Sequence, residues 1–242
     1  MRMSLATTIR TATHFIGEPL HVMVAAGHGR SYGKSTRVLG RQLTGITQCG
    51  LWQALEDQSP LPAHALVTDI GNDLLFGVAP QQIAEWVEQC TDRLLAQDAQ
   101  VIMTRLPLAN FNSLSTTRFK IFRSLLFPRS RQSLTELRYL ASELDDRVTE
   151  LSRSRPITLV DQSPDWYGFD PIHPRFRHWP TVQQTLLASW RVTDVSKPDS
   201  NRWRDHVRAW RLRGEERLVF GRMRRSAQPC ARLPDGTIVA LH

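Results

Sequence analysis

Short apolar segments alternate with amphipathic helical patterns along most of this chain, and this alternation limits the folds it can adopt. Four apolar runs have the length of strands buried on both faces and end at or shortly before a glycine, a proline or an aspartate: residues 21–26, 65–70, 101–104 and 157–160. Between them, apolar residues recur with the 3.6-residue period of a helix over residues 83–95 and 134–151. Strands that alternate with helices form a parallel sheet covered on both faces. The sequence therefore predicts an α/β fold with its functional site at the carboxyl ends of the strands.

Composition places the chain among globular proteins without a membrane span. It has 242 residues, of which 41% are hydrophobic, and this is enough apolar material for one folded core. No run of about 18 apolar residues is present, and the first twenty residues lack the apolar stretch of a signal peptide. Cys49, Cys90 and Cys230 are odd in number and far apart, which favours reduced thiols over disulfides or a metal site. We therefore expect a cytoplasmic protein.

The net charge of +8 lies mostly near the C-terminus, where ten arginines and five acidic residues follow residue 197. Residues 198–214 have the pattern of a basic amphipathic helix, and residues 230–241 that of a small hairpin. The predicted divisions are an N-terminal extension (1–20), a main domain (21–196) and a basic appendage (197–242). This appendage is interpreted as a structural cover or, alternatively, as a surface for nucleic acid or an acidic partner.

Three polar motifs follow the predicted strands. They are Gly27-His28-Gly29-Arg30-Ser31-Tyr32-Gly33, Asp69-Ile70-Gly71-Asn72-Asp73 and Asp170-Pro171-Ile172-His173. In this order and placement they resemble the blocks of the SGNH (GDSL-type) hydrolases, which carry a Gly-Asp-Ser nucleophile turn, a Gly-Asn-Asp turn and a late Asp-x-x-His. The resemblance extends from Leu20 to Trp190. It implies a three-layer sandwich with a mostly parallel, flavodoxin-like sheet.

The resemblance also implies a role for each matching residue. Asn72 and the backbone N–H of Gly45, which matches the glycine opening the family's second helix, would donate to the oxyanion of a tetrahedral intermediate. His173 would be the general base, and Asp170 would hold its ring in the required tautomer. The implied reaction is hydrolysis of an ester, such as an acylated carbohydrate or lipid. The sequence shows no metal-ligand cluster and no phosphate-binding loop, so we expect no cofactor.

The nucleophile block departs from the family pattern. In a gapless alignment Gly29 takes the position of the serine and His28 that of the aspartate, so the attacking side chain is missing. Ser31 is the candidate replacement, provided that the glycine-rich turn brings it into place. About a dozen residues separate Gly33 from Gly45, which is short for a helix and a strand. The first helix is therefore predicted to be shortened or lost.

Three functions remain open from the sequence. The first is an ester hydrolase with a displaced serine. The second is an inactive protein of the same fold that binds its ligand without cleaving it. In the third, the basic tail is the functional region and binds nucleic acid or an acidic partner. The residues expected to line a ligand site are His28, Gly29, Arg30 and Asp73. Asn72, Asp170 and His173 favour the hydrolase, because an unused site has little reason to hold all three. We expect them to converge at the carboxyl edge of the sheet, with Gly29 or Ser31 opposite.

Overall fold

The computed structural model describes residues 2–17, 19–27, 29–38, 41–126, 131–170, 172–191, 212–219 and 221–242. Its strands are β1 (His21–Val24), β2 (Thr36–Val38), β3 (Arg41–Leu43), β4 (His64–Val67), β5 (Gln100–Thr104), β6 (Ile157–Val160), β7 (Glu216–Val219), β8 (Arg222–Arg225), β9 (Ala231–Arg232) and β10 (Ile238–Leu241). Its α-helices are α1 (Arg2–Ile16), α2 (Leu51–Glu56), α3 (Pro80–Leu95), α4 (Leu108–Ser113), α5 (Thr116–Leu126), α6 (Leu134–Ser154) and α7 (Trp179–Leu186). The fold is mixed α/β. The chain divides into two compact units, unit 1 (Met1–Pro60 and Trp179–His242) and unit 2 (Leu61–His178).

Unit 2 contains the predicted alternation of strands and helices. Its sheet has the order β4-β5-β6, and both strand pairs are parallel. The central strand is buried along most of its length because it has a neighbour on each side. Helices α3 and α6 pack against each other, with α3 also on β5 and α6 on β6. Three of the four predicted strands and both predicted helices are thus confirmed in unit 2.

Helix α6 begins and is anchored through side-chain hydrogen bonds. At its start, Ser133 Oγ accepts the backbone N–H of Glu136, whose side chain accepts the backbone N–H of Ser133. This capping box satisfies two amides that have no partner within the helix. Further along, the Asp145 carboxylate accepts the Leu106 backbone N–H at 3.1 Å and forms an ion pair with Arg105. Because Asp145 is only 1% exposed, this contact fixes the helix to the end of β5 from inside the unit.

The first predicted strand, β1, does not join the parallel sheet to which the sequence analysis assigned it. Among the described residues β1 is hydrogen-bonded to β10 in parallel, and β10 pairs with β9 in the predicted C-terminal hairpin. That hairpin is therefore confirmed, but β1 is not part of the β4-β5-β6 sheet. The physical reason is that the backbone groups of β1 are satisfied by a strand from the far end of the chain. In β10, Val239 and Ala240 are 1% and 4% exposed, which favours a structural role for this part of the tail.

A second sheet in unit 1 includes the residues for which the sequence predicted a shortened or lost helix. It is antiparallel, with the order β2-β3-β7-β8. The described residues between Gly33 and Gly45 form β2 and β3 and contain no helix, which confirms the predicted loss. The predicted boundary at residue 196 lies within residues 192–211, which are outside the described residues. Most of the predicted basic helix over residues 198–214 lies there as well.

The N-terminal extension forms a helix that belongs to the core of unit 1. Ala6 and Ile9 of α1 pack in one apolar cluster with Leu212 and Val239. None of the three cysteines forms a disulfide. Among the described helices, none is both long and apolar enough to cross a membrane.

Candidate functional site

A pocket opens at the carboxyl edge of the unit 2 sheet, where the sequence predicted a site. Residues 69–72 follow β4, residues 104–107 end and follow β5, and Gln162 follows β6. Phe111 and Ile172 complete the lining. The pocket forms there because parallel strands that end together leave their following loops around one recess.

His173 and Asp170 form a hydrogen-bonded pair beside this pocket, on either side of the lining residue Ile172. His173 Nδ1 lies 2.8 Å from Asp170 Oδ2, and the two side chains are 40% and 42% exposed. Asp170 Oδ1 accepts the backbone N–H groups of Ile172 and His173 at 2.9 and 3.1 Å. Because an ionised carboxylate only accepts hydrogen bonds, Nδ1 carries the proton and Nε2 is the basic nitrogen of the neutral ring. The pair thus has the arrangement required of a general base and its orienting carboxylate.

The electrostatics of the pair favour its charged form. The hydrogen bond that His173 donates to Asp170 raises the pKa of His173, burial acts against it, and the charges of Asp170 and Asp69 raise this pKa further. Burial would raise the pKa of Asp170, but its hydrogen bond and charge interaction with His173 and its two backbone hydrogen bonds together lower it. His173 therefore titrates above its ordinary value and Asp170 below its own.

Asn72 and Asp73 lie in the short 3-10 helix Ile70–Phe76, which starts three residues after the last residue of β4. Asn72 is half-buried and lines the pocket, so its amide is accessible to a bound molecule. Asp73 is fully buried and is not among the residues that line the pocket. Of these two predicted residues, the structure therefore places only Asn72 at the site.

Asp69 is the pocket residue that the sequence analysis missed as a functional candidate. Its backbone is left-handed, with φ 59° and ψ 29°, a conformation that costs a non-glycine residue about 1 kcal/mol. The residue is exposed, yet surrounding protein atoms desolvate its carboxylate and raise its pKa, while the charge of His173 acts in the opposite direction. Asp69 is thus open to solvent as a residue, while its carboxylate lies close to other protein atoms at the pocket. Its position directly before Ile70-Gly71 at the end of a strand was the available signal.

The nucleophile turn lies in unit 1. Ser31 is fully buried, and its Oγ accepts the backbone N–H groups of Gly33 and Lys34 at 3.2 and 2.9 Å. This hydroxyl therefore stabilises its own turn. Gly29 has φ 62°, a left-handed conformation in which a serine would be strained. His28 lies outside the described residues.

Gly45 and Arg30 hold the same turn in place. A Cβ on Gly45 would lie 2.7 Å from the Gly33 carbonyl carbon, so the close approach of the two backbones requires glycine here. Arg30 is 6% exposed and donates to the main-chain oxygens of Thr44 and His242. Its described contacts are structural, and its predicted role in ligand binding stays a prediction.

The chain matches no protein-family model and no curated protein. Within the described ranges, no group of three or more His, Cys, Asp or Glu side chains is placed to hold a metal ion. The chemistry available at the pocket is that of His173 with Asp170, the Asn72 amide and the Asp69 carboxylate.

Asp170→Asn is expected to lower the pKa of His173, because it replaces the charged acceptor of the hydrogen bond that contributes most to raising that pKa by a neutral amide oxygen. In the wild type, the stability from protonated His173 is fully present below pH 6.5 and is lost as the pH rises through the raised pKa. The contribution of ionised Asp170 is present above pH 3.8 and is lost as the pH falls through its lowered pKa. The stability difference between wild type and variant should thus be largest between these values.

Nuclear magnetic resonance titration of the histidine ring protons and urea unfolding at several pH values measure both effects. His178→Ala serves to assign the signals and as a control that leaves the pair intact. An unchanged His173 titration in Asp170→Asn would contradict the role of this hydrogen bond.

Proposed function

We propose that this chain is an acyl-ester hydrolase of the SGNH type, with a flavodoxin-like sandwich as its scaffold and His173 as its catalytic base. The observation that carries the proposal is the 2.8 Å contact between His173 Nδ1 and Asp170 Oδ2 beside the pocket that Asn72 lines. Order in the sequence agrees with this proposal, since the Gly-Asn-Asp turn precedes the Asp-x-x-His motif as in that family.

Each of these residues has a chemical task in ester hydrolysis. His173 takes a proton through Nε2 from the water that attacks the acyl group, and Asp170 stabilises the imidazolium that forms. Asn72 donates its side-chain N–H to the oxygen on which negative charge develops. Positioned in advance, this donor interacts more strongly with the transition state than with the substrate, and so it lowers the barrier.

The walls of the pocket indicate which part of a substrate it takes. Leu106, Pro107, Phe111 and Ile172 provide apolar surface, while Arg105 is engaged by Asp145. An apolar wall with a few polar groups suits the acyl chain of an ester. The proposed substrates are therefore small acyl esters, including acylated carbohydrates or lipids.

Asn72→Ala is expected to reduce the rate of ester hydrolysis by about 10²–10³-fold, the usual effect of losing one oxyanion donor. The test compares hydrolysis of 4-nitrophenyl acetate and 4-nitrophenyl octanoate by wild type and variant. Asn112→Ala is the matched control, because Asn112 is an exposed asparagine on α4 that does not line the pocket. Equal rates in all three proteins would exclude Asn72 from the reaction.

A wild type without esterase activity would contradict the proposal and favour the alternative, a binding protein with the same fold. Gly29→Ser then tests whether only the nucleophile is missing, since it restores the hydroxyl of the family pattern despite the strained backbone. A fluorophosphonate probe shows independently whether Ser31 reacts in the wild type.

A further inference from the structure

The backbone at Asp69 has the form of a turn that exposes a catalytic group. Strand β4 ends at Val67, a 3-10 helix begins at Ile70, and Asp69 between them is in the left-handed region. Strained residues persist where the surrounding structure enforces them, and they are concentrated at functional sites. A sharp turn from a strand into a helix is also how hydrolases of another α/β class present their nucleophile.

The Asp69 side chain does not serve the turn that it occupies. It makes no capping hydrogen bond to the helix that follows, although aspartate often does so in this position. Instead the residue as a whole is exposed, and it is one of the residues that line the pocket. Ser31 shows the opposite behaviour, since its hydroxyl is buried and accepts two backbone amides.

Asp69 is also an electrostatic neighbour of the catalytic pair. Its charge acts on His173, and that of His173 acts on Asp69, so the two groups belong to one site. Asn72 follows three residues after Asp69 in the same turn, and its backbone N–H donates to the Asp69 carbonyl at 3.3 Å. A carboxylate and an amide donor thus line the pocket, and a base lies beside it, next to the lining residue Ile172.

We propose that Asp69 is the nucleophile that takes the place of the missing serine, an inference that rests on the proposed ester hydrolysis. A carboxylate oxygen of Asp69 adds to the acyl carbon of the ester, and Asn72 stabilises the resulting oxyanion. The bond to the alcohol oxygen breaks, the alcohol leaves with a proton from the imidazolium of His173, and a mixed anhydride between Asp69 and the acyl group remains.

Water completes the reaction. Neutral His173 takes a proton from water through Nε2, and the hydroxide adds to the anhydride. The anhydride bond breaks, the carboxylic acid leaves, and Asp69 and protonated His173 are restored. The sum of the two steps is one ester and one water converted into one acid and one alcohol, and no other reactant is needed.

Asp98 provides a matched control within the same unit. It is the other described non-glycine residue with a positive φ, at 53°, and it follows helix α3 at an exposed turn. Asparagine tolerates the left-handed region about as well as aspartate. Asp69→Asn and Asp98→Asn therefore make the same chemical change in the same backbone conformation, and only the first alters the pocket.

The test is hydrolysis of 4-nitrophenyl acetate by the full chain with hydroxylamine as a trap. When hydroxylamine adds to the aspartyl carbonyl of the anhydride, the bond to the acyl oxygen breaks and the acyl group leaves as its carboxylate. The aspartyl hydroxamate that remains is located by peptide mass spectrometry. We expect the hydroxamate at Asp69 in the wild type and in Asp98→Asn, only while substrate is present, and a loss of turnover of at least about 10³-fold in Asp69→Asn. Asp69→Gly, which relieves the backbone strain, should be equally inactive and no less stable to heat.

Turnover that survives in Asp69→Asn and Asp69→Gly, or an acyl group trapped on Ser31, would overturn the proposal and leave ester hydrolysis intact. A wild type that hydrolyses neither nitrophenyl ester would overturn both proposals together. Because the first result requires an active wild type and the second an inactive one, the two failures are distinguishable.

Discussion

His173→Ala is expected to reduce the turnover of 4-nitrophenyl esters by about 10²–10⁴-fold, the usual contribution of general acid–base catalysis. The reason is that His173 is the only described histidine held by a carboxylate at the pocket, through its 2.8 Å contact with Asp170. No histidine is among the residues that line the pocket, so His173 beside it is the imidazole that can both accept and return a proton near neutral pH. Steady-state rates of wild type and variant measure the effect.

His178→Ala is the control for this experiment. His178 lies five residues further along, in unit 2, and its described side-chain contact is with Arg177 rather than with the pocket. Its loss should leave turnover nearly unchanged. Urea unfolding of both variants separates a chemical effect from a structural one. A folded His173→Ala protein with wild-type activity would remove His173 from the reaction, and with it the proposed function.

Asp145→Ala is expected to lower the free energy of unfolding by about 3 kcal/mol, at the low end of the range for breaking a buried ion pair. The variant leaves the buried Leu106 backbone N–H without its acceptor and deprives Arg105 of its main partner. The value is not higher because the Arg105 side chain is 36% exposed and can recover hydrogen bonds to water. Urea unfolding measures the loss.

Asp146→Ala is the control for the stability experiment, because Asp146 is the next residue on α6 and is exposed. Exposed substitutions of this kind change stability by less than about 0.5 kcal/mol. Equal stabilities of the two variants would show that the contact between Asp145 and the end of β5 does not hold the helix in place.

The elements of unit 2 could be predicted because their signals are local. Apolar residues at a 3.6-residue period specify α3 and α6, and short apolar runs specify β4, β5 and β6. Parallel order follows from the alternation itself, and it brings the strand ends to one edge. That is why the sequence could place Asn72 and His173 near the same pocket.

Unit 1 could not be predicted in the same way because its pairings join distant segments. Nothing in residues 21–24 indicates that their partner is β10, more than 200 residues later, since a buried strand of this composition suits many partners. The pairing of β3 with β7 likewise joins segments that are far apart in the sequence. The charged, exposed residues of β8 do not have the apolar pattern of a buried strand.

Asp69 was missed for a different reason. Aspartate after a strand is ordinarily a turn or cap residue, and sequence gives no access to its left-handed backbone or to the absence of a capping bond. The sequence favours Ser31 as the nucleophile because its hydroxyl is the nearest one to Gly29, which takes the position of the serine in the SGNH pattern. Its burial depends on the approach of residues 45–47 to the turn, a tertiary contact that the sequence does not encode locally.

The pairing of β1 with β10 has a consequence for the order in which the chain can fold during synthesis. Each strand and helix of unit 2 finds its partner within residues 61–178, so these contacts close over short stretches of chain as they leave the ribosome. Strand β1 is made more than 200 residues before its neighbour Ile238–Leu241, so it remains unpaired while those residues are synthesised. During that time its edge is open to other strands, and the formation of this sheet depends on the arrival of β10.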